Sequence, residues 1–221
     1  MYFFLSNLAL MDISGTSSFV PLMLVNFLET QSTISFPGCA LQMYLTLALG
    51  STECVLLAMM ACDRYVAICQ PLRYSELMNS QTCTWTAALS WGAGFANSLL
   101  HSNLTWSLPF CGHNIINHFF CEILAVLKLA CGDISLNTLL TVVSAVVLTL
   151  APLLFIFLSY VCILTAILRV PSAAGRHKAF STCSAHLTVV VISMGLSPSC
   201  ISSPRPRTST WISFLHCSTG S

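Results

Sequence analysis

The chain alternates between long apolar runs and short polar segments. An α-helix rises about 1.5 Å per residue, so about 20 consecutive apolar residues cross the roughly 30 Å hydrocarbon core of a bilayer. Five runs are long enough to do so, at residues 2–27, 36–69, 82–100, 136–168 and 178–196. The pattern therefore predicts an all-α membrane protein built as a bundle of transmembrane helices.

The composition agrees with a membrane location. Of the 221 residues, 56% are hydrophobic and only 7% are charged, whereas about one quarter of the residues in soluble domains are charged. The formal net charge of +1 gives no case for nucleic acid as a partner. Partners must instead come from the lipid bilayer, from a small apolar ligand, or from a protein at one membrane face.

Basic residues predict how the helices are oriented, because they collect in cytoplasmic loops. Arg64 and Arg73 lie between the second and third spans, and Arg169, Arg176 and Lys178 lie between the fourth and fifth. Both of these loops are therefore expected on the cytoplasmic side, and the first span is expected to run from inside to outside.

Four of the 12 cysteines lie on the predicted outer face, at Cys39, Cys111, Cys121 and Cys131. An even number of cysteines on the oxidising side of a membrane favours disulfides. A metal site is the alternative, because CGHNIINHFFC also offers His113 and His118, although these spacings match no compact zinc pattern. The sequon at Asn103 on the same face is a site either for a glycan or for an unmodified asparagine.

Two acidic residues, Asp12 and Glu53, lie near the middle of predicted spans, where an ionised side chain is costly and by default suggests function. Glu53 precedes Arg64 by eleven residues, about 16 Å of helix rise, which puts Glu53 near the midplane. Two carboxylates at one depth would hold a sodium ion or share a proton. The structural alternative, in which both are protonated and hydrogen-bonded, stays open.

Asp63 and Arg64 stand side by side in MACDRYVAICQPLRY, at the end of the second span. Cys39 precedes Arg64 by 25 residues, about 37 Å of helix, so one helix connects an outer cysteine to an inner arginine. If Arg64 is a positive-inside anchor, any basic residue would serve. If it is a latch, Arg64 pairs with Asp63 and is released to receive a partner.

Several segments, taken together and in order, identify a family: MYFFLSNLALMD, ALGSTEC, MACDRYVAICQPLRY, LPFCGHNIINHFFCEILAVLKLAC, Ser159-Tyr160 and KAFSTCSAHLTVV. They closely resemble the signature segments of vertebrate odorant receptors, which are rhodopsin-like G-protein-coupled receptors with seven helices. The resemblance covers about residues 1–192. It implies that the spans correspond to helices two to six, the last one partial, and that residues 1–196 form a truncated seven-transmembrane-helix bundle lacking the first and seventh helices.

The resemblance also implies roles for residues along the whole depth of the bundle. It implies two disulfides, Cys39–Cys121 and Cys111–Cys131. It assigns roles in G-protein coupling to Asp63, Arg64, Tyr65, Tyr160 and Lys178. It places the family's buried sodium or proton site at Asp12 and Glu53. It makes candidates for odorant contact of Thr46, Leu47, Gly50, Ser51, Ser144, Leu124 and Val126.

The chain departs from the family pattern at two places. Cys62 stands where the family usually has Tyr before Asp-Arg-Tyr, and SMG at 193–195 stands where it has Phe-Tyr-Gly. After Ile192 the chain becomes rich in Ser, Pro and Thr. We therefore expect the fifth span to break at Pro198 and residues 197–221 to be an aberrant tail, produced by a change of reading frame.

The sequence thus predicts an odorant receptor that binds small volatile ligands in the outer half of the bundle and activates a heterotrimeric G protein of the olfactory, stimulatory type. The expected location is the plasma membrane, as a multi-pass protein, with retention in the endoplasmic reticulum as the alternative. Competing functions are a non-signalling receptor fragment and, more remotely, an ion channel or transporter. Neither HExxH nor a nucleophile elbow occurs, so no enzyme is expected, and no cofactor beyond the sodium ion.

Overall fold

A computed structural model describes residues 2–28, 35–111, 121–169 and 172–202, with side chains except at positions 19, 21–28, 178 and 194–202. Its helices are α1 (Tyr2–Leu28), α2 (Phe36–Cys69), α3 (Tyr74–Leu77), α4 (Ser80–Trp106), α5 (Ile123–Leu127), α6 (Ser135–Leu168) and α7 (Ala173–Ser202). A 3-10 turn, Pro71–Arg73, joins α2 to α3. Within these ranges the only strand-like pairing is one bridge between Phe110 and Ala130, which confirms the all-α prediction.

Local sequence signals set where two of the long helices begin. The Ser35 side chain accepts a hydrogen bond from the Gly38 backbone N–H at 3.3 Å, at the start of α2. At the start of α4, the Asn79 side chain accepts one from the Thr82 N–H at 2.8 Å. Such caps satisfy backbone N–H groups that have no partner inside the helix.

The helix α4 is longer than the span predicted at residues 82–100, because it continues to Trp106. The segment after Leu100 looked too polar for a span, yet His101 and Thr105 are buried in the bundle, at 3% and 1% exposure. Polar side chains inside a membrane bundle face the protein rather than the lipid. Hydropathy alone therefore predicts α4 to be shorter than it is.

The helix α7 also differs from its predicted bounds. It begins at Ala173, where the Ser172 hydroxyl accepts a hydrogen bond from the Gly175 N–H. It does not end at Pro198 as the sequence led us to expect but runs to Ser202. A proline removes one backbone hydrogen bond and kinks a helix, and membrane helices tolerate such interruptions.

The helix α2 lies at the centre of the bundle. It packs most extensively against α4 and α6 and also contacts α1 and α7. Leu56, Leu57 and Ala61 on α2 are fully buried, in a core completed by residues of α1, α6 and α7. The helix α2 therefore contributes to most of the sites described below.

Within the described residues, α2 and α6 are long and apolar enough to cross a membrane, judged by length and composition alone. On α6, Phe157 and Leu158 remain 64% and 61% exposed, as expected of side chains that face lipid. The spans predicted at α1, α4 and α7 do not meet this criterion within the described residues and stay predictions.

Candidate functional site

The inner end of α2 holds a buried carboxylate. Asp63 is 1% exposed, and its Oδ1 accepts a hydrogen bond from the Tyr74 hydroxyl at 3.0 Å. Tyr74 lies on α3, in the loop that follows α2, and partial burial, followed by the hydrogen bond to Asp63, raises the pKa of its phenol. The contact ties the loop to the acid of the Asp-Arg-Tyr segment.

Arg64 lies beside that carboxylate and faces the inner parts of α6 and α7. Its Nε is buried and, among the described residues, has no hydrogen-bond partner. The guanidinium is within electrostatic reach of Tyr160, Cys183 and His186. The pairing of Arg64 with Asp63 remains a prediction, and Tyr65 packs half-buried against the main core.

Tyr160 connects α6 to α7 through a buried polar contact. Its hydroxyl lies 2.7 Å from Nδ1 of His186, and the two rings stack with centroids 5.8 Å apart. Both side chains are buried, at 5% and 2% exposure. The side chain of Lys178, the remaining residue assigned to this end, lies outside what the structure describes.

Asp12 and Glu53 line the same space in the middle of the bundle. One cavity, of about 410 Å³, is lined by both acids together with Val189, Ile192 and Ser193. The Glu53 carboxyl accepts a hydrogen bond from Ser193 on α7. Both predicted acids therefore line one cavity, in which α1 contributes Asp12, α2 contributes Glu53 and α7 contributes the other three residues.

The seven candidates for odorant contact fall into three groups. Thr46 and Gly50 line a second cavity of about 270 Å³, which also touches Asp12 and Glu53. Leu47, Leu124 and Val126 belong to an apolar cluster beneath the outer loop. The remaining two face α4, since Ser51 accepts a hydrogen bond from Asn97, and Ser144 lies 2.8 Å from Nε2 of His101.

The sequence analysis missed three polar residues of α4 that join it to its neighbours. Asn97 and His101 make the contacts just described, and the Ser98 hydroxyl donates to the Tyr44 carbonyl oxygen on α2. Their signal was available, because residues three and four apart share one helix face. Polar residues recurring at that spacing in an apolar run indicate helix–helix contacts.

The outer loop is bonded to α2 and to itself. Cys39 is joined to Cys121, and Cys111 to Cys131, which is the pairing implied by the resemblance. The Cys121 backbone N–H also donates a hydrogen bond to Oε1 of Gln42 on α2, at 3.1 Å.

The outer loop was also considered as a metal site, and Asn103 as a glycosylation site. Disulfide bonding leaves Cys111 and Cys121 without the thiolates that a metal site needs, and His113 and His118 lie outside the described residues. Within the described ranges no group of three or more His, Cys, Asp or Glu side chains is placed to hold a metal ion. Asn103 is exposed, and its glycosylation stays a prediction.

Comparisons with a family profile and with individual proteins all match the chain to olfactory receptors. The family profile described as "Olfactory receptor" matches residues 1–203. The chain is 59% identical over 195 residues to human Olfactory receptor 2S2, a match that covers 88% of the chain and 61% of that protein. It is 56% identical over 195 residues to human Olfactory receptor 13C9 and 57% identical over 196 residues to human Olfactory receptor 2K2, with the same two coverages. The chain thus spans about three fifths of the length of these relatives.

Proposed function

Because the chain belongs to the olfactory receptor family, whose members are multi-pass membrane receptors rather than enzymes, we propose that it binds small volatile odorants and passes the signal to a heterotrimeric G protein. The proposed location is the plasma membrane. The proposed coupling partner is a G protein of the olfactory, stimulatory type, reached at the inner ends of α2, α6 and α7.

The observation that carries the proposal is the position of Arg64. Its buried Nε has no partner among the described residues, which is costly for a charged group. The Tyr160–His186 contact lies within its electrostatic reach and joins α6 to α7. A movement of α7 away from α2 would break or rearrange that contact and open a path from Arg64 to the cytoplasmic surface.

The helix α7 suits such a movement, because it packs against α2 far less extensively than α4 and α6 do. An odorant that binds the displaced state more tightly than the resting state would shift the equilibrium toward it. Odorant contacts are proposed for Thr46 and Gly50 in the α1–α2 cavity and for the apolar cluster under the outer loop. An apolar cluster with few polar groups fits small volatile molecules. The cavity at Thr46 and Gly50 is more polar, because Asp12 and Glu53 also line it.

The experiment that tests the proposal is a cAMP assay of the chain, expressed with an olfactory-type stimulatory G protein and exposed to a broad odorant panel. Arg64→Ala is expected to abolish the response. Arg73→Ala is the matched control, because Arg73 is exposed and pairs with Glu76 in the same inner loop, at 3.5 Å. The wild-type and variant signals are normalised to the amount of chain at the cell surface.

Two outcomes would count against the proposal. A response that survives Arg64→Ala would remove the role given to Arg64. A surface-expressed wild-type chain that answers no odorant in the panel would contradict receptor function itself.

We also propose that Asp12 and Glu53 hold one positive charge between them, either a sodium ion or a shared proton, because both line the same cavities. Sodium binding predicts a higher melting temperature in sodium chloride than in choline chloride at equal ionic strength. Glu53→Gln is expected to remove the difference. A melting temperature equal in the two salts for the wild-type chain would exclude sodium and leave either a shared proton or two protonated carboxyl groups.

A further inference from the structure

Two reduced cysteines approach each other where α2 ends against α6. The Cys69 Sγ lies 3.8 Å from the carbonyl oxygen of Cys162, across 93 positions of sequence. The two thiols are also close enough to influence each other electrostatically. The contact places the Cys69 sulfur beside the backbone of Cys162. A disulfide between them also requires Cα atoms about 4.4–6.8 Å apart and a matching side-chain rotamer at each cysteine.

Both thiols lie at the end of the bundle that basic residues predict to be cytoplasmic. Cys69 follows Arg64 by five residues on the same helix, about 7 Å further toward that end. Cys162 is exposed and Cys69 is half-buried. Hydrogen peroxide is small and uncharged, so a position on the lipid-facing side of α6 does not exclude it, whereas Cys183, at 4% exposure, is shielded between the helices.

We propose that Cys69 and Cys162 form a reversible disulfide when the cell produces hydrogen peroxide, tying the end of α2 to α6. One thiolate attacks the peroxide and becomes a sulfenic acid, releasing one water once the leaving oxygen is protonated. The second thiol attacks the sulfenic sulfur, forms the S–S bond and releases another water. Two thiols lose two electrons and two protons, and one peroxide becomes two waters.

The extensive packing of α2 against α6 keeps the two thiols beside each other, which favours their bond over bonds between chains. The cytosol is reducing, so the bond forms transiently and cytosolic dithiols reverse it by exchange. On α6 the disulfide is formed by Cys162, two residues after Tyr160. It would therefore hold the inner end of α6 in place relative to Arg64. Under the proposed function, the oxidised chain therefore signals less.

The test uses the full chain in membranes from expressing cells, treated with hydrogen peroxide. Free thiols are then blocked with N-ethylmaleimide, and the chain is digested without reductant for mass spectrometry. A peptide pair linked through Cys69 and Cys162 is expected, and it should disappear after dithiothreitol. Cys162→Ser should remove the pair, whereas Cys83→Ser, at a half-buried cysteine on α4, should leave it.

The wild-type chain alone keeps the proposal falsifiable if a variant fails to fold. In it, the two thiols should become protected from labelling together and in equal amounts, while the Cys39–Cys121 peptide reports that the fold is intact. Peroxide that leaves both thiols labelled, links Cys69 to another cysteine, or oxidises them separately would overturn the proposal. Because this readout needs no odorant or G protein, its failure is distinguishable from failure of the proposed function.

Discussion

At the scale of single residues, the pKa of Tyr74 reports on its hydrogen bond to the buried Asp63. Burial raises the pKa of its phenol first, and the hydrogen bond to the Asp63 carboxylate raises it further. The folded chain therefore prefers the neutral phenol. The stability that this preference gives is fully present below the ordinary tyrosine pKa of about 10, and it is lost as the pH rises through the higher pKa of the folded state.

Asp63→Asn is expected to lower the pKa of Tyr74 toward its ordinary value while leaving it raised, because burial remains when the charged acceptor is gone. The measurement is an ultraviolet titration of tyrosinate in detergent. Tyr74→Phe serves as the subtraction control that isolates this residue among the five tyrosines. An identical Tyr74 titration in the wild-type chain and in Asp63→Asn would show that the hydrogen bond does not form.

At the scale of helices, the Tyr160–His186 contact is expected to stabilise the packing of α6 on α7. Tyr160→Phe leaves the buried His186 ring without this partner, and such a loss costs about 1–3 kcal/mol. A double-mutant cycle with His186→Phe separates the contact from the other effects of each change. The free energies of unfolding should be non-additive; additivity would mean that the two side chains do not interact in solution.

The crossing of α4 over α2 depends on Gly94. A Cβ added there would overlap the Thr52 hydroxyl oxygen and lie 2.6 Å from the Ala48 carbonyl oxygen. Gly94→Ala should therefore force the helices apart and cost about 1–3 kcal/mol. Gly92→Ala is the matched control, because a Cβ at Gly92 meets nothing within 4 Å. Thermal unfolding in detergent compares the two, and equal melting temperatures would show that the helices do not cross here.

Helix positions could be predicted from sequence wherever apolar length decided them. The predicted bounds of α2, 36–69, agree with the structure because the helix starts at a serine cap and ends just before Pro71. The end of α4 was missed, because His101 and Thr105 are polar in sequence and hydropathy does not show that they are buried. The spacing of the polar residues indicates a helix–helix contact but not where the helix ends. The same limit applies to Ser51 and Ser144, whose partners on α4 lie far away in sequence.

At the scale of the whole molecule, two disulfides on the outer side close chain segments of different length. Cys39–Cys121 spans 82 residues and Cys111–Cys131 spans 20. A crosslink removes conformational freedom from the unfolded chain, and in the loop-entropy account the longer loop loses more. The gain is about 4.5 kcal/mol for a loop of the first length and about 3 kcal/mol for one of the second.

Replacing both cysteines of the long loop by serine is therefore expected to destabilise the chain more than the same change in the short loop. The long-loop variant should also loosen the outer loop from α2, where the described contacts that remain are the hydrogen bond of the Cys121 N–H to Gln42 and the apolar cluster. Thermal unfolding in detergent measures the first effect, and proteolysis of the outer loop measures the second. The opposite result, in which the short-loop variant is less stable and its outer loop is cleaved first, would contradict this prediction. It would show that Cys111–Cys131 stabilises the outer surface more than Cys39–Cys121 does.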